Sequence, residues 1–209
     1  MNRIERLGYH TEVNPIWWYE IRRCGLGVLV TAPLVGVVVG IALTAFDGAT
    51  ILRTVALEVV PLTAGLATAA VLGRERMREL HLTVRTPYPQ TVARRLVLVG
   101  ASACGEVASL GLLGWSAAAV APGSLLVTTP AFTLALISVA TFVVVASGSA
   151  AGASVIVVTV WSAKLLVLDQ VVRGVWAQAA VMVTLAALFA WPAAVRVGDS
   201  ETQLREVRA

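Results

Sequence analysis

Long apolar runs dominate this chain and constrain its fold more strongly than any other feature. Residues 26–46 contain no charged side chain, and residues 130–168 contain only one, Lys164. About 20 consecutive apolar residues are enough for one helical crossing of a bilayer. The first run therefore predicts one membrane span. The second run is too long for a single crossing and suits two.

The composition supports the same class of protein. Hydrophobic residues make up 58% of the 209 positions and charged residues 13%, whereas soluble domains carry about 25% charged residues. The mean hydropathy is +0.84. A water-soluble core of this size could not bury so much apolar surface, so we predict an all-α polytopic membrane protein with six transmembrane helices.

The polar breaks between the apolar runs divide the chain into three regions. Residues 1–25 form a cytoplasmic N-terminus with an interfacial helix, residues 26–195 the transmembrane domain, and residues 196–209 a cytoplasmic tail. The small residues at 147–154 permit a tight reversal between the fourth and fifth spans. The six spans are predicted at residues 26–46, 53–73, 92–121, 131–146, 154–168 and 175–195.

The N-terminal region has the pattern of a short helix that lies in the membrane interface. Asn14 is a suitable N-cap, and Pro15 fits the first helical position. Acidic residues within the first 25 positions argue against a cleavable signal peptide. The side chains that follow are of the types that settle among lipid headgroups. They are Trp17, Trp18, Tyr19, Arg22 and Arg23.

Two glycines in the first span predict a close contact between helices. Gly36 and Gly40 form a GxxxG pair, which lets a second helix approach the backbone directly. The alternative is a chance spacing in a span that is rich in glycine and valine.

The basic residues indicate which side of the membrane each loop occupies. Cytoplasmic loops carry the excess of Lys and Arg, and 13 of the 16 basic residues precede span 1, lie in the charged block at residues 74–95, or follow span 6. The exceptions are Arg53, Lys164 and Arg173. We therefore predict a cell-membrane protein with both termini in the cytoplasm, which requires an even number of spans. Because the net charge of +4 follows membrane sidedness, the lipid bilayer and not nucleic acid is the predicted partner.

The loop between spans 2 and 3 contains more sequence pattern than is needed to set its side of the membrane. It reads RERMRELHLTVRTPYPQTVARR over residues 74–95. Met77, Leu80 and Val84 share one face of a predicted short helix. Two X-Pro pairs then end that helix, and Thr91 is a candidate N-cap for span 3. The apolar face needs a cover, which could be lipid headgroups, the protein's own spans or a soluble partner.

This loop and the N-terminal region resemble those of the ABC type-2 permeases. In that family a Glu-rich helix follows span 2, and a Leu-rich turn and Thr-Pro lead into a basic start of span 3. The matching positions here are Glu75, Glu79, Leu80, Leu82, Thr86, Pro87, Arg94 and Arg95. NPIWWYEIRR resembles the family's interfacial elbow helix at Asn14, Pro15, Glu20 and Arg22. The departures are Arg76-Met77-Arg78 in place of Gly-Thr, and a short outer loop before span 6.

The resemblance implies that the loop is a coupling helix, at about residues 74–86, that seats in a groove of a separate ABC ATPase. The contact residues would be Glu75, Met77, Arg78, Glu79, Leu80, Leu82, Thr86 and Pro87. ATP and Mg would bind to that partner, because this chain has no GxxxxGK[ST] phosphate loop and no cofactor motif. The chain would form half of the membrane part of the transporter, completed by a second copy or a homologue.

The resemblance also bears on direction and substrate. The importer-type loop signature, Glu-Ala-Ala followed by Gly, is absent from the charged block, so an exporter is implied. The mainly apolar spans favour a lipid-like, peptide or drug-like substrate.

Ionisable residues within spans are candidates for function, because a charge inside a bilayer is costly. Three stand out, namely Glu58 in span 2, Glu106 in span 3 and Lys164 in span 5. They could line a substrate path, form an intramembrane ion pair with one another or with Arg173, or relay protons. Glu58 lies near the outer surface, where water could reach it. Lys164 is expected to extend its ammonium toward that surface.

The sequence predicts no catalytic or metal-binding group, so we do not expect an enzyme. His10 and His81 are isolated and lack metal-ligand spacing. Two other functions stay open. Glu58 and Glu106 could serve a proton-coupled secondary carrier or an intramembrane enzyme, and a permease-like chain could act as a scaffold that transports nothing.

Overall fold

A computed structural model describes residues 15–45, 50–73, 88–116, 123–172 and 174–199. The predicted coupling helix and all eight of its contact residues, from Glu75 to Pro87, lie outside the described residues. The same holds for Asn14, Arg173 and residues 200–209 of the C-terminal tail. Within the described part of the chain every regular element is a helix and none is a strand, which confirms the predicted all-α class.

The described residues form seven helices in chain order. The first four are α1 (Pro15–Cys24), α2 (Leu26–Ala45), α3 (Thr50–Gly73) and α4 (Tyr88–Ser116). Helix α5 begins with a π-helical turn, Ser124–Thr128, and continues as an α-helix over Thr129–Ser147. Helix α6 comprises Ala150–Ala163, a second π-helical turn Lys164–Leu168, and a last turn Asp169–Val171. Helix α7 covers Val175–Gly198.

Five of these helices are long and apolar enough to cross a membrane. The qualifying segments are Leu26–Ala45, Pro89–Leu113, Leu126–Ser147, Ala150–Val171 and Val175–Gly198. The remaining predicted span falls on α3, whose apolar part, Leu57–Gly73, is shorter. Many large apolar side chains on the outside of the bundle are exposed, including Val38, Leu112 and Leu188. Such a surface suits a lipid environment.

The start of α4 differs from the prediction. Thr91 was expected to cap the helix, but α4 already begins at Tyr88, and Thr91 is buried inside its first turn. Pro89 occupies the second helical position. A proline is tolerated there because the first backbone N–H groups of a helix have no intrahelical acceptor. The second X-Pro pair, Tyr88-Pro89, therefore forms the start of α4.

The reversal between α5 and α6 lies within the predicted stretch 147–154 but is tighter than expected. Only Gly148 and Ser149 stand outside the two helices. Gly148 has a left-handed φ of 66° and donates its N–H to the carbonyl of Val144, which closes α5. The hydroxyl of Ser149 accepts the N–H of Gly152 at 3.1 Å and caps α6. As a result α6 begins at Ala150, four residues earlier than predicted, and is not a short span.

Helix α5 lies at the centre of the bundle. It packs against α3, α6 and α7, and its side chains Phe132, Leu136 and Val139 are fully buried. The hydrophobic core of the protein is therefore built around one helix whose neighbours shield it from lipid.

Helices α2 and α4 form a close pair, as the GxxxG spacing predicted. A Cβ atom added to Gly36 would lie 2.5 Å from the carbonyl oxygen of Glu106. One added to Gly40 would lie 2.7 Å from the Cβ of Leu113. Both distances are too short for a real contact, so the approach of α4 depends on the missing side chains.

Helix α1, which was predicted to lie in the membrane interface, is connected to the bundle by a buried ion pair. It begins at Pro15, as predicted. Glu20 on α1 and Arg95 on α4 are only 6% and 2% exposed, and Arg95 Nε lies 3.7 Å from Glu20 Oε2. Arg95 Nη1 also donates to the carbonyl of Val71 on α3 at 3.5 Å. One arginine thus connects α1, α3 and α4.

Candidate functional site: a charged cavity among four helices

A cavity of about 250 Å³ lies between α3, α5, α6 and α7. Its polar lining consists of Glu58, Thr128, Thr129, Lys164, Asp169 and Gln178. Its apolar walls are Leu57, Pro61, Phe132 and Val175. The π-helical turns at Ser124–Thr128 and Lys164–Leu168 both contribute to it, through Thr128 and Lys164. Single π turns inside α-helices occur frequently at functional sites.

Lys164 is the centre of the polar lining. Its ammonium donates to Glu58 Oε1 across the cavity and to Asp169 Oδ2 at 3.1 Å, and it lies 5.2 Å from the centroid of the Phe132 ring. The residue is only 4% exposed. The expectation that Lys164 extends outward was therefore wrong. Two carboxylates and an aromatic face within reach replace the water that an outward position would offer.

The π-helical turn explains how Lys164 and Asp169 meet. In an α-helix, residues five positions apart point about 140° away from each other. In the turn Lys164–Leu168 the N–H of Asp169 bonds to the carbonyl of Lys164, which is the five-residue step of a π-helix. This wider turn brings the two side chains to the same face. Sequence periodicity could not identify the pair, because a spacing of five is not a helix-face spacing.

Glu58 is held by a second contact from α6. The indole Nε1 of Trp161 donates to the backbone carbonyl of Glu58 at 2.8 Å. Pro61, one turn further along α3, has no N–H and interrupts the helical hydrogen bonds there. The anchored carbonyl and the interrupted turn together fix where the Glu58 carboxylate enters the cavity.

Gln178 connects α7 to the same cluster. Its amide nitrogen donates to Asp169 Oδ1 at 3.3 Å and to the carbonyl of Val172 at 3.0 Å. Asp169 therefore bridges Lys164 and Gln178. Asp169, Gln178 and Thr128 were not predicted as site residues, since polar side chains at helix ends look like ordinary loop boundaries in a sequence.

Two acceptors in the cavity have no hydrogen-bond partner. They are Glu58 Oε2 and Thr128 Oγ1, and both atoms are buried. A buried polar atom without a partner costs about 1–3 kcal/mol, so native proteins rarely keep one without a use. A molecule bound in the cavity could satisfy both.

Glu106 lies outside this cavity. It is fully buried on α4 and accepts a hydrogen bond of 2.6 Å from the Thr63 hydroxyl on α3. Its other oxygen, Oε2, has no hydrogen-bond partner. No basic side chain of the described residues forms an ion pair with it. The structure thus brings Glu58 and Lys164 together and keeps Glu106 apart from them.

The cavity lies at the end of the bundle opposite Arg95 and Arg196. Helix α3 runs from Glu58 in the cavity to Val71, which accepts from Arg95. Helix α5 runs from Thr128 in the cavity to Phe142, whose ring centroid lies 5.1 Å from the Arg196 guanidinium. The courses of these two helices thus place Arg95 and Arg196 at the end of the bundle opposite Lys164.

No protein-family model, curated protein or solved structure matches the chain. Its function is therefore inferred from the residues and their geometry.

Proposed function

We propose that this chain is the permease subunit of an ATP-driven transporter, with six transmembrane helices and a separate ATPase that binds ATP and Mg. The observation that carries the proposal is the position of the charged segment 74–87. It joins α3 to α4, and these two helices hold the intramembrane residues Glu58 and Glu106. A force on the segment would therefore act directly on the helices that carry the charged groups.

The contacts around this segment favour rigid transmission of such a force. Arg95 binds Glu20 and Val71 next to it and links α1, α3 and α4. The last residue of α3, Gly73, is so close to α6 that an added Cβ would lie 2.9 Å from the Cα of Ala150. A force on α3 would then turn this helix about its contact with α6 and separate Glu58 from Lys164 at the cavity end of the bundle. Such an element with two packing arrangements is what alternating access requires.

The proposed orientation follows from the separation of charges. Arg22, Arg23, Arg95 and Arg196 belong to the end of the bundle where α1 packs, and an excess of basic residues favours the cytoplasmic side. The cavity would then lie in the outer half of a cell membrane, with both termini in the cytoplasm. A second copy or a homologue would complete the transport path, and export is the proposed direction.

Co-purification and ATP hydrolysis test this proposal. We expect the tagged full chain, extracted from its native membrane, to carry with it a chain with a phosphate loop and vanadate-sensitive ATPase activity. Leu82→Arg or Glu79→Arg should remove both, because a charge of the wrong kind would face the ATPase groove. Gln203→Arg in the tail is the matched control and should change neither. The proposal would be refuted if no ATPase co-purified, or if as much ATPase co-purified with the Leu82→Arg variant as with the unmodified chain.

A proton-coupled carrier is the second candidate, and Glu106 favours it. This carboxyl group is fully buried, and one of its oxygens has no hydrogen-bond partner. A buried acid outside any ion pair can take up and release a proton during transport. The discriminating measurement is proton flux into dye-loaded proteoliposomes that contain only this chain. Flux without ATP that Glu106→Gln abolishes would favour the carrier, and no flux would favour the permease.

A further inference from the structure

We infer that the cavity between α3, α5, α6 and α7 binds a small organic cation, with an alkyl or aryl ammonium as its chemical class. The inference rests on the proposed function only in making this cation the transported substrate. Binding itself is a property of the chain alone. The cavity volume of about 250 Å³ corresponds to roughly eight water molecules at ~30 Å³ each, which limits the ligand to a small molecule.

The charge of the cavity lining favours a cation. In the described part of the chain, the lining has two carboxylates, Glu58 and Asp169, and one ammonium, Lys164. The ammonium is bound to both carboxylates, which leaves one negative charge without compensation. An anion that approached Lys164 would meet this excess negative charge first. A cation would neutralise it.

The vacant hydrogen-bond acceptors give the ammonium a place. Thr128 is 9% exposed and lines the cavity, and its hydroxyl oxygen has no hydrogen-bond partner. Glu58 Oε2 is the second vacant acceptor, on the opposite helix. An ammonium group has three N–H donors and no acceptor. It would fill both positions, whereas a neutral alcohol offers only one donor.

The remaining walls favour an organic group over a metal ion. Leu57, Pro61 and Val175 are apolar, and Phe132 presents a ring that already lies 5.2 Å from the Lys164 ammonium. Among the described residues, no group of three or more His, Cys, Asp or Glu is placed to hold a metal. Lys164 is itself an alkyl ammonium that is bound by two carboxylates beside an aromatic ring. The proposed ligand would be bound by the same kinds of group.

Direct binding tests the inference without any ATPase. The full chain in nanodiscs is titrated with radiolabelled benzylammonium, with benzyl alcohol and benzoate as neutral and anionic probes of the same shape. We expect saturable binding of benzylammonium only. Glu58→Gln should weaken it by about tenfold or more, because the ligand loses a charge-assisted hydrogen bond. Thr128→Val should weaken it by about fivefold, the loss expected for one neutral hydrogen bond.

Thr141→Val is the matched control, since Thr141 is a buried threonine on the same helix that bonds only to the carbonyl of Ile137. It should bind benzylammonium as the unmodified chain does. Binding of benzyl alcohol with equal affinity, preference for benzoate, no saturable binding, or indifference to both cavity variants would each overturn the inference. If an ATPase co-purifies but benzylammonium does not bind, this inference fails and the permease proposal stands. If benzylammonium binds but no ATPase co-purifies, the cation site stands and the permease proposal fails.

Discussion

The Lys164 ammonium lies 3.1 Å from a carboxylate oxygen of Asp169, five positions later on the same helix. The π-helical turn Lys164–Leu168 makes this contact possible. The same two side chains also bind Glu58 on α3 and Gln178 on α7. One extra residue in a helical turn therefore connects three helices through a single charged cluster.

Removing Lys164 should remove the contribution of Asp169 to stability. In the unmodified protein, Asp169→Asn should lower the free energy of unfolding by about 1–3 kcal/mol, because the ammonium of Lys164 loses one carboxylate. In a Lys164→Met background the same substitution should have little effect, since Asp169 then has no ammonium to bind. Unfolding in mixed detergent micelles measures both. Leu166→Ala, at a side chain of the same π turn that is 75% exposed, is the control background.

An equal effect of Asp169→Asn in the unmodified and Lys164→Met backgrounds would show that Lys164 and Asp169 are not coupled. This double-mutant comparison is informative even though Lys164→Met itself destabilises the protein, since only the coupling between the two changes is interpreted.

Much of the fold could be predicted from local pattern. The start of α1 at Pro15, the reversal around Gly148 and the close approach at Gly36 and Gly40 follow from proline chemistry, small residues and apolar run length. Each is a property of a few neighbouring residues. These features therefore required no knowledge of which helices become neighbours.

The site could be predicted only in part. Glu58, Glu106 and Lys164 stand out because charges inside apolar spans are rare. That Glu58 meets Lys164, 106 positions later, depends on the packing of α3 against α6. Asp169 reaches the cavity because of the π turn before it, and Gln178 lies in the first turn of α7. The α-helical period of 3.6 residues would place Asp169 on a different face from Lys164. Pattern therefore identified the charges and left open which of them form a pair.

The pair of Lys164 and Glu58 should be strongly coupled. Removing one partner of a buried ion pair leaves a charge without compensation and typically costs about 3–5 kcal/mol. We expect Lys164→Met to lower the free energy of unfolding by this amount, and the double variant with Glu58→Gln to lose less than the sum of the single losses. Arg94→Met, at the arginine end, is the control with a small effect. Additive losses would contradict the coupling.

The buried pair between α1 and α4 predicts an asymmetry. Arg95 binds both Glu20 and the carbonyl of Val71. Arg95→Met should therefore lower the melting temperature of the protein more than Glu20→Gln does, since it removes a contact to α3 as well as the ion pair. Tryptophan fluorescence during heating in detergent measures both variants. Equal shifts would mean that the contact to Val71 contributes nothing to stability.

The glycines of α2 provide the sharpest test of the helix packing. An added methyl group at Gly36 would lie 2.5 Å from the backbone oxygen of Glu106, which cannot turn aside as a flexible side chain could. Gly36→Ala should therefore force α2 and α4 apart and lower the free energy of unfolding by about 1–3 kcal/mol. Gly27→Ala on the same helix is the matched control, because a Cβ there would meet no atom within 4 Å. That substitution should leave stability unchanged or raise it by up to about 1 kcal/mol, since alanine favours the helix over glycine. If both substitutions stabilise the protein, the close contact between α2 and α4 does not exist in the membrane.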